Sequence, residues 1–418
     1  MLDLKAIRQE PDAARAALAR RGAAAVETLD RALELDARRR AVLPELEQLR
    51  AAKNAASKRI GELQREGGDA SAAIAEVRQA SEGEKRLDAE LRQVQAELDA
   101  ALLALPNLPD ESAAPEDAVL REVGLAGAAG RDHLELLGDL VDLEAGARMA
   151  GSRFAYLKGP LVMLELALVR WALEELSGHG FEPVIPPVLV REEALVGTGF
   201  LPDTEQQIYG VPDDDLYLAG TSEVPLASLH AGELMDADGL PRRYAGFSPC
   251  FRREAGAGGK DTRGIFRVHQ FDKVEMFSFV APEDSAGEHE RLLAIEEGLM
   301  QALGIPYRVV NIAVDDLGSS AAKKYDIEAW LPGQERYREL TSTSNTTDFQ
   351  ARRLGIRYRP PDGGSPRPVH TLNGTAVAVG RTIIALVENG QREDGSVVMP
   401  DVLRTYGAPE RIEARDSR

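Results

Sequence analysis

Between Phe247 and Phe279 the chain reads FSPCFRREAGAGGKDTRGIFRVHQFDKVEMFSF. Side chains alternate faces along a strand, so Arg252 and Glu254 share one side of a first strand. On the same reading Ile265, Arg267, His269, Phe271, Lys273, Glu275 and Phe277 share one side of a second. A face that mixes charges with aromatic rings is costly to bury unpaired, so it is expected to border a ligand. Arginine pairs with phosphate, an aromatic ring stacks on a base, and a carboxylate receives an ammonium or hydroxyl group. The combination suits a nucleotide together with an amine-bearing partner.

The glycine-rich centre, GAGGKDT, has the composition of a phosphate loop without its spacing. Such a loop needs two glycines bracketing four residues, then Lys and Ser or Thr, between a strand and a helix. Lys260 is followed by Asp261, and position 254, where the first glycine would fall, holds Glu254. The text after it, IFRVHQFDKVEMFSFV, has no helical period and reads as a strand running back beside the first. The glycines are then a hairpin tip. His269 is expected to hydrogen-bond within the structure, and the single cysteine, Cys250, to be inert core.

The elements that must position these residues can be read around them. LVMLELALVRWALEELSGHG is helical and FEPVIPPVLV is extended. DLYLAGTSEVPLASLHA, RYAGFSPCFRRE, YRVVNIA, YDIEAWLP and RYRELTSTSN carry strand signals, and TAVAVGRTIIALVEN closes as a helix. Strands adjacent in sequence with short connections predict an antiparallel sheet with helices beside it, an α+β fold.

Residues 31–105 differ in kind. They are dominated by Ala, Leu, Glu, Arg and Gln, which are good helix formers. Ala32, Leu35, Arg39, Val42, Leu46, Leu49, Lys53, Ala56, Ile60 and Leu63 alternate spacings of three and four. So do Ala73, Val77, Ala80, Glu84, Leu87, Leu91, Val94, Leu98, Ala101 and Leu105; both are heptad seams. Gly67, Gly68, Asp69 and Ser71 lie between them as turn and cap candidates. A parallel dimerisation coil is the alternative, but matched lengths and the glycine turn favour an antiparallel coiled-coil hairpin. After Pro106, LPNLPDESAAPEDA reads as a linker. The expected domains are 1–105, an N-terminal helical arm with its long hairpin at about 31–105, then a connecting segment at 106–150, then a catalytic domain at 151–418.

Composition narrows the class. With 418 residues, 44% hydrophobic and 28% charged, the chain has the make-up of a soluble multidomain protein. No apolar run approaches the roughly 20 residues of a membrane helix, and MLDLKAIRQEPDAA lacks a signal-peptide core, so a cytoplasmic location without membrane contact is expected. One cysteine and six histidines without an HExxH pattern argue against disulfides and a protein-held transition metal. The net charge of −19 argues against indiscriminate nucleic-acid binding. Residues 31–105 are nearly charge-balanced, however, and Arg38, Arg39, Arg40, Lys53, Lys58 and Arg59 cluster there, a pointer to RNA.

FRREAGAGGKDTRGIFRVHQFDKVEMF resembles the second signature motif of class II aminoacyl-tRNA synthetases, in the form found in bacterial seryl-tRNA synthetases. GTSEVPL at 220–226, AAKKYDIEAW at 321–330, RELTSTSNTTDFQARR at 338–353 and TLNGTAVAVGRTIIALVEN at 371–389 resemble the same family, in the expected order. The resemblance spans essentially the whole chain, arm included.

It implies that L-serine and ATP give seryl-adenylate and pyrophosphate, after which the terminal ribose of tRNA takes the seryl group. Arg252 would grip the α-phosphate where negative charge builds, Glu254 orient the adenine end, and Phe271 stack on adenine. Arg381 would approach ATP from the other side; with Arg252 and Glu275 it makes up the catalytic set. Arg253, Val268, Leu340 and Thr341 complete the implied ATP contacts, and Glu339 and Ser342 would hold Mg²⁺ with the phosphates. For serine the resemblance implies Thr221, Ser222, Glu223, Arg252, Glu275, Asn373 and Thr375, the family more often having Ser at position 375. The implied partners are the long variable arm and acceptor end of tRNA(Ser), and tRNA(Sec) where one exists; Lys260 and Arg263 in the hairpin tip would meet the acceptor end or merely solvent. The segment from Leu161 to Ser177 and the strand with Pro186 resemble the first class II motif, which implies a homodimer. A paralogue that loads a carrier protein instead would lack the arm.

Overall fold

The computed structural model describes residues 1–202, 207–255, 259, 261 and 263–415. Its Asp3–Pro106 portion forms one unit, and Met1–Leu2 with Asn107–Arg418 a second.

In the first unit the heptad region folds as two long helices, α1 (Ala23–Arg65) and α2 (Ser71–Ala104). Every seam position read from the sequence is buried or half-buried. Gly67 turns the chain at φ +70°, a conformation that costs glycine least, and the Asp69 carboxylate accepts from the Ser71 N–H at 2.9 Å. The charged seam positions find partners: Lys53 Nζ lies 2.7 Å from Glu84 Oε2, and Arg39 donates to Asp36 at 2.9 Å. Arg31–Glu97, Arg50–Asp88 and Arg59–Glu76 pair between the helices at 2.6, 2.9 and 2.8 Å, which fits antiparallel packing. At Gly83 an added Cβ would lie 2.9 Å from Leu49 Cδ1, so the helices meet closely there.

The second unit is built on an eight-stranded sheet. Its strands are β1 (Ala118–Val123), β2 (Glu182–Val184), β3 (Arg242–Phe251), β4 (Gln270–Val280), β5 (Tyr307–Asn311), β6 (Lys323–Leu331), β7 (Arg336–Asn345) and β8 (His370–Ala378). In space they run β1-β5-β6-β7-β8-β4-β3-β2. All neighbours are antiparallel except the parallel β2–β3 pair. The 107–150 segment contributes the edge strand β1, and α3 (His133–Leu137). Asn107 ties in its start by donating to Ser320 O, Thr346 O and Thr347 Oγ1 at 2.8–3.0 Å.

The pleat of β4 sorts its side chains. Val274, Met276 and Val280 enter the main core with Leu164, Leu168 and Trp171 of α4 (Pro160–Gly178), Leu292 and Leu299 of α5 (Ser285–Ala302), and Ile383 and Ile384 of α6 (Val379–Asn389). Burying each such side chain contributes about 1.5–3 kcal/mol. On the other face Phe277 and Phe279 join a smaller core with Leu226, Met235, Ile356 and Tyr358. Further along that face, Phe271, Lys273 and Glu275 open onto a cavity.

Two sequence expectations are corrected. IFRVH is not strand: β3 ends at Phe251 and β4 begins at Gln270. Ile265 and Phe266 are consecutive and both buried in the main core, which a pleated strand with one buried face does not allow. Arg252 and Glu254 therefore lie beyond β3, in the connection. Gly256, Gly258, Lys260 and Thr262 of the glycine-rich tip fall outside the described residues. TAVA, read as the start of the closing helix, instead completes β8, and α6 begins at Val379.

Candidate active site

The cavity has a volume of about 510 Å³ and is walled by β4, β7, β8, the connection after β3 and the start of α6. It brings together Thr221, Glu223, Arg252, Glu254, Val268, Phe271, Glu275, Glu339, Leu340, Ser342, Asn373, Thr375 and Arg381. Three expected side chains turn elsewhere. Ser222 Oγ bonds Ser248 Oγ at 2.8 Å beneath the site, Thr341 donates to the buried Glu296 at 2.9 Å, and Arg253 is exposed.

Local irregularities aim these residues. A bulge in β7 pairs Ile327 with Thr341 but Glu328 with Glu339. The pleat slips one place at Leu340, so Glu339 and Ser342, three apart, both reach the cavity. A second bulge, opposite Val274 and Glu275, sets Thr375 across from Glu275. Glu254 takes φ +51°, the left-handed region, and its carboxylate accepts from Arg267 Nη1 at 2.7 Å.

One group of side chains forms an acidic hydrogen-bonded network. Asn373 Nδ2 donates to Glu275 Oε1 at 3.2 Å and to Glu223 Oε2 at 3.3 Å, and Gln350 Nε2 donates to Glu223 Oε1 at 2.7 Å. Lys273 Nζ donates to Thr221 Oγ1 at 2.8 Å and forms an ion pair with Glu275. Burial first, and then the charge of Glu275, pushes the Glu223 carboxyl up to about 7. Asn373 Oδ1 is buried with no hydrogen-bond partner. A buried acceptor left open is costly, so the network is ready for a ligand that brings a donor.

The other group is cationic. Arg338 and Arg381 lie over the Phe266 ring, at 3.9 and 4.6 Å from its centroid, and Arg252 lies 5.4 Å from the Phe271 centroid. Arg381 donates to the carbonyls of Phe266 and Glu339 at 3.3 and 3.1 Å. Burial above all, with Arg252, Arg267 and Arg338 nearby, pulls the Arg381 guanidinium below its usual value against the opposing charge of Glu339. Burial would raise the Glu339 carboxyl, but Arg381, Lys324 and Arg252 overcome it and hold it below the ordinary range. A cluster of this kind suits a polyphosphate.

Glu339, ionised and 46% exposed, and the Ser342 hydroxyl are hard oxygen donors. Among the described residues no group of three or more His, Cys, Asp or Glu could cage a metal ion. Two hard oxygen donors fit a magnesium ion that keeps waters and is shared with substrate phosphates, the usual manner for that ion.

Lys273, Gln350, Phe266, Arg267 and Arg338 were not singled out for roles from the sequence. Lys273 and Arg267 were visible as members of the ligand-facing register, and Gln350 carried no signal beyond lying in a quoted motif. Cys250 is fully buried and burial raises its thiol, as suits inert core. His269 donates from Nδ1 to the Arg252 carbonyl at 2.9 Å, the structural bonding expected of it.

Residues 1–109 match the seryl-tRNA synthetase N-terminal domain, and residues 209–390 match the tRNA synthetase class II core domain (G, H, P, S and T). The chain is similar to the serine–tRNA ligase of Streptomyces coelicolor, 49% identical with 97% of each chain covered. The fold is similar to the seryl-tRNA synthetase of Pyrococcus horikoshii complexed with ATP, with a TM-score of 0.93, 42% identity and 100% of both chains covered. It is also similar to the cytoplasmic serine–tRNA ligase of Naegleria fowleri in complex with AMP, with a TM-score of 0.89, 32% identity, and 100% of this chain and 99% of that one covered. Two domain matches in order and near half identity over almost its full length place the chain: it belongs to the seryl-tRNA synthetase family.

Proposed function

We propose that the chain activates L-serine with ATP to form seryl-adenylate and pyrophosphate. The seryl group then passes to tRNA(Ser), with tRNA(Sec) a second acceptor where it is present. The observation that carries this reading is one cavity holding both an acidic network with an open acceptor at Asn373 and an arginine cluster around two phenylalanine rings. The first suits an amino acid with a hydroxyl group, the second a nucleoside triphosphate.

In the first step a serine carboxylate oxygen attacks the α-phosphorus and pyrophosphate leaves. Arg252 draws carboxylate and α-phosphate together, and its fixed charge meets the negative charge that builds between them. Phe271 stacks on adenine, Glu254 orients its amino edge, and Arg381 closes on the nucleotide from the first turn of α6. Arg267 extends the cationic wall toward the leaving phosphates, and Arg338, paired with Asp261, backs the Phe266 ring from outside the cavity. Magnesium held by Glu339 and Ser342 would neutralise charge on those phosphates. Glu223, Glu275, Thr221, Asn373 and Thr375 receive the serine ammonium and hydroxyl. In the second step a terminal ribose hydroxyl attacks the seryl carbonyl and AMP leaves, with no enzyme nucleophile required.

Residues 1–105 are proposed as the arm that holds the long variable arm of tRNA, 106–150 as the connection and 151–418 as the catalytic domain. We place the enzyme in the cytoplasm as a homodimer, which the exposed apolar residues of α4 support. Among the described residues no helix is long and apolar enough to cross a membrane. The test is serine-dependent exchange of labelled pyrophosphate into ATP, followed by charging across purified tRNAs. Absence of exchange with every amino acid would sink the proposal.

A further inference from the structure

Lys273 stands two residues before Glu275 on β4, so the pleat sets both side chains on the cavity face. It is 6% exposed, its Nζ is 2.8 Å from Thr221 Oγ1, and it forms an ion pair with Glu275 Oε2. A buried ammonium needs an anion beside it, and Glu275 supplies one. The two carboxylates bridged by Asn373 are therefore electrically unlike. Glu275 carries its own cation, whereas Glu223 is met by the neutral amides of Gln350 and Asn373.

Resting on the proposed serine-activating reading, we infer that Lys273 is a positioning residue that sets amino-acid specificity. It pairs with Glu275 and fixes that carboxylate as a hydrogen-bond acceptor for the substrate hydroxyl, leaving Glu223, which is met by neutral amides, for the ammonium. A site built to bond a hydroxyl rejects the analogue without one because its polar group is then stranded. With Lys273 removed, Glu275 is a second loose anion, no longer fixed toward the hydroxyl position. That change helps alanine relative to serine.

Pyrophosphate exchange with serine and with alanine tests this in the full-length enzyme, beside Lys273→Met and Lys273→Gln. The glutamine keeps a donor near Thr221 and loses the charge. Both variants are expected to lower kcat/KM for serine by about 30-fold or more and the serine-to-alanine ratio by about tenfold or more, with little change in KM for ATP. A serine-to-alanine ratio that stays at the wild-type value in a variant that still binds ATP overturns the inference. A wild-type enzyme with no serine-dependent exchange overturns the parent reading instead. Should neither variant fold, a crystal structure of the wild-type enzyme with a non-hydrolysable seryl-sulfamoyl-adenosine decides. Lys273 Nζ is expected to stay on Thr221 and Glu275 with the ligand hydroxyl on Glu275, and displacement of Lys273 by the ligand ammonium overturns the inference.

Discussion

Arg252 is held before any substrate arrives, by its Nε bond to the Gly220 carbonyl at 3.1 Å and by the Phe271 ring beneath its guanidinium. A cation already in place needs no rearrangement when charge develops, which is where electrostatic catalysis gains most. Arg252→Ala should therefore lower kcat for serine-dependent exchange by about 10²–10³-fold and weaken serine binding far less; a loss confined to KM would reduce Arg252 to a binding group. Glu223 makes a second prediction through its raised carboxyl, which burial and Glu275 set at about 7. Below that pH it is protonated and cannot balance an ammonium; above it, it is ionised and can. Hence kcat/KM for serine should fall as pH drops through about 7, and Glu223→Gln should flatten that limb of the profile. An unchanged limb in the variant would place the titrating group elsewhere.

At the scale of elements, what was legible in the sequence was whatever repeats locally. The heptad seams of α1 and α2 could be counted because burial on one helix face imposes its period on residue type. The bulge at Leu340 could not, since a slipped pleat leaves no compositional mark; only the family resemblance pointed to Glu339 and Ser342 together. The alternation of Ile265, Arg267 and His269 misled for the complementary reason. It imitates a pleat while Ile265 and Phe266 both bury, the backbone being held instead by Arg252 N–H to His269 O at 2.9 Å and His269 N–H to Arg153 O at 3.1 Å. The root of that connection is set by Gly264, at φ +80°, where an added Cβ would lie 2.2 Å from His133 Nε2. His133 itself is held by Glu388 at 3.1 Å and accepts from the Ile265 N–H at 3.4 Å. Gly264→Ala would displace this buried histidine, so it should cut serine-dependent exchange about tenfold or more through a loss of about 1–3 kcal/mol at the site. Thermal unfolding with full exchange activity retained would show that the connection tolerates the shift. The basic residues of the arm also look different in place. Arg38, Arg39, Arg40, Lys53 and Arg59 all engage acidic partners within the hairpin. Arg38–Glu90, Lys53–Glu84 and Arg59–Glu76 are solvent-accessible pairs worth only about 0–1 kcal/mol each, so RNA phosphates can exchange with them cheaply, whereas the Asp36 carboxylate shared by Arg39 and Arg40 is fully buried. Replacing residues 31–105 by a short glycine–serine link should abolish tRNA charging and leave serine-dependent exchange near its intact level.

For the molecule as a whole, α4 carries apolar residues on its outward face as well as its inward one. Its inward face puts Leu161, Leu164, Leu168 and Trp171 into the main core, all fully buried. Its outward face carries Val162, Met163 and Leu166, which are 42%, 50% and 56% exposed, and Ile185 beyond its end is 81% exposed. A helix that is apolar all round is normally covered all round, and an apolar patch of this sort on a folded surface marks an interface. Glu165, on the same turn, is kept protonated up to about 8, by burial first and then by its hydrogen bond to Asp272, so it adds little charge to the patch near neutrality. A second copy of the chain is the proposed cover. In a two-fold interface each residue is presented twice, so a single substitution acts on both halves. Leu166→Arg should accordingly shift the sedimentation mass from the dimer to the 45.3 kDa monomer at micromolar concentration. Since residue 166 points away from its own core, unfolding temperature should move less than tRNA charging does. A wild-type enzyme that already sediments at the monomer mass would leave the apolar face of α4 without its proposed partner.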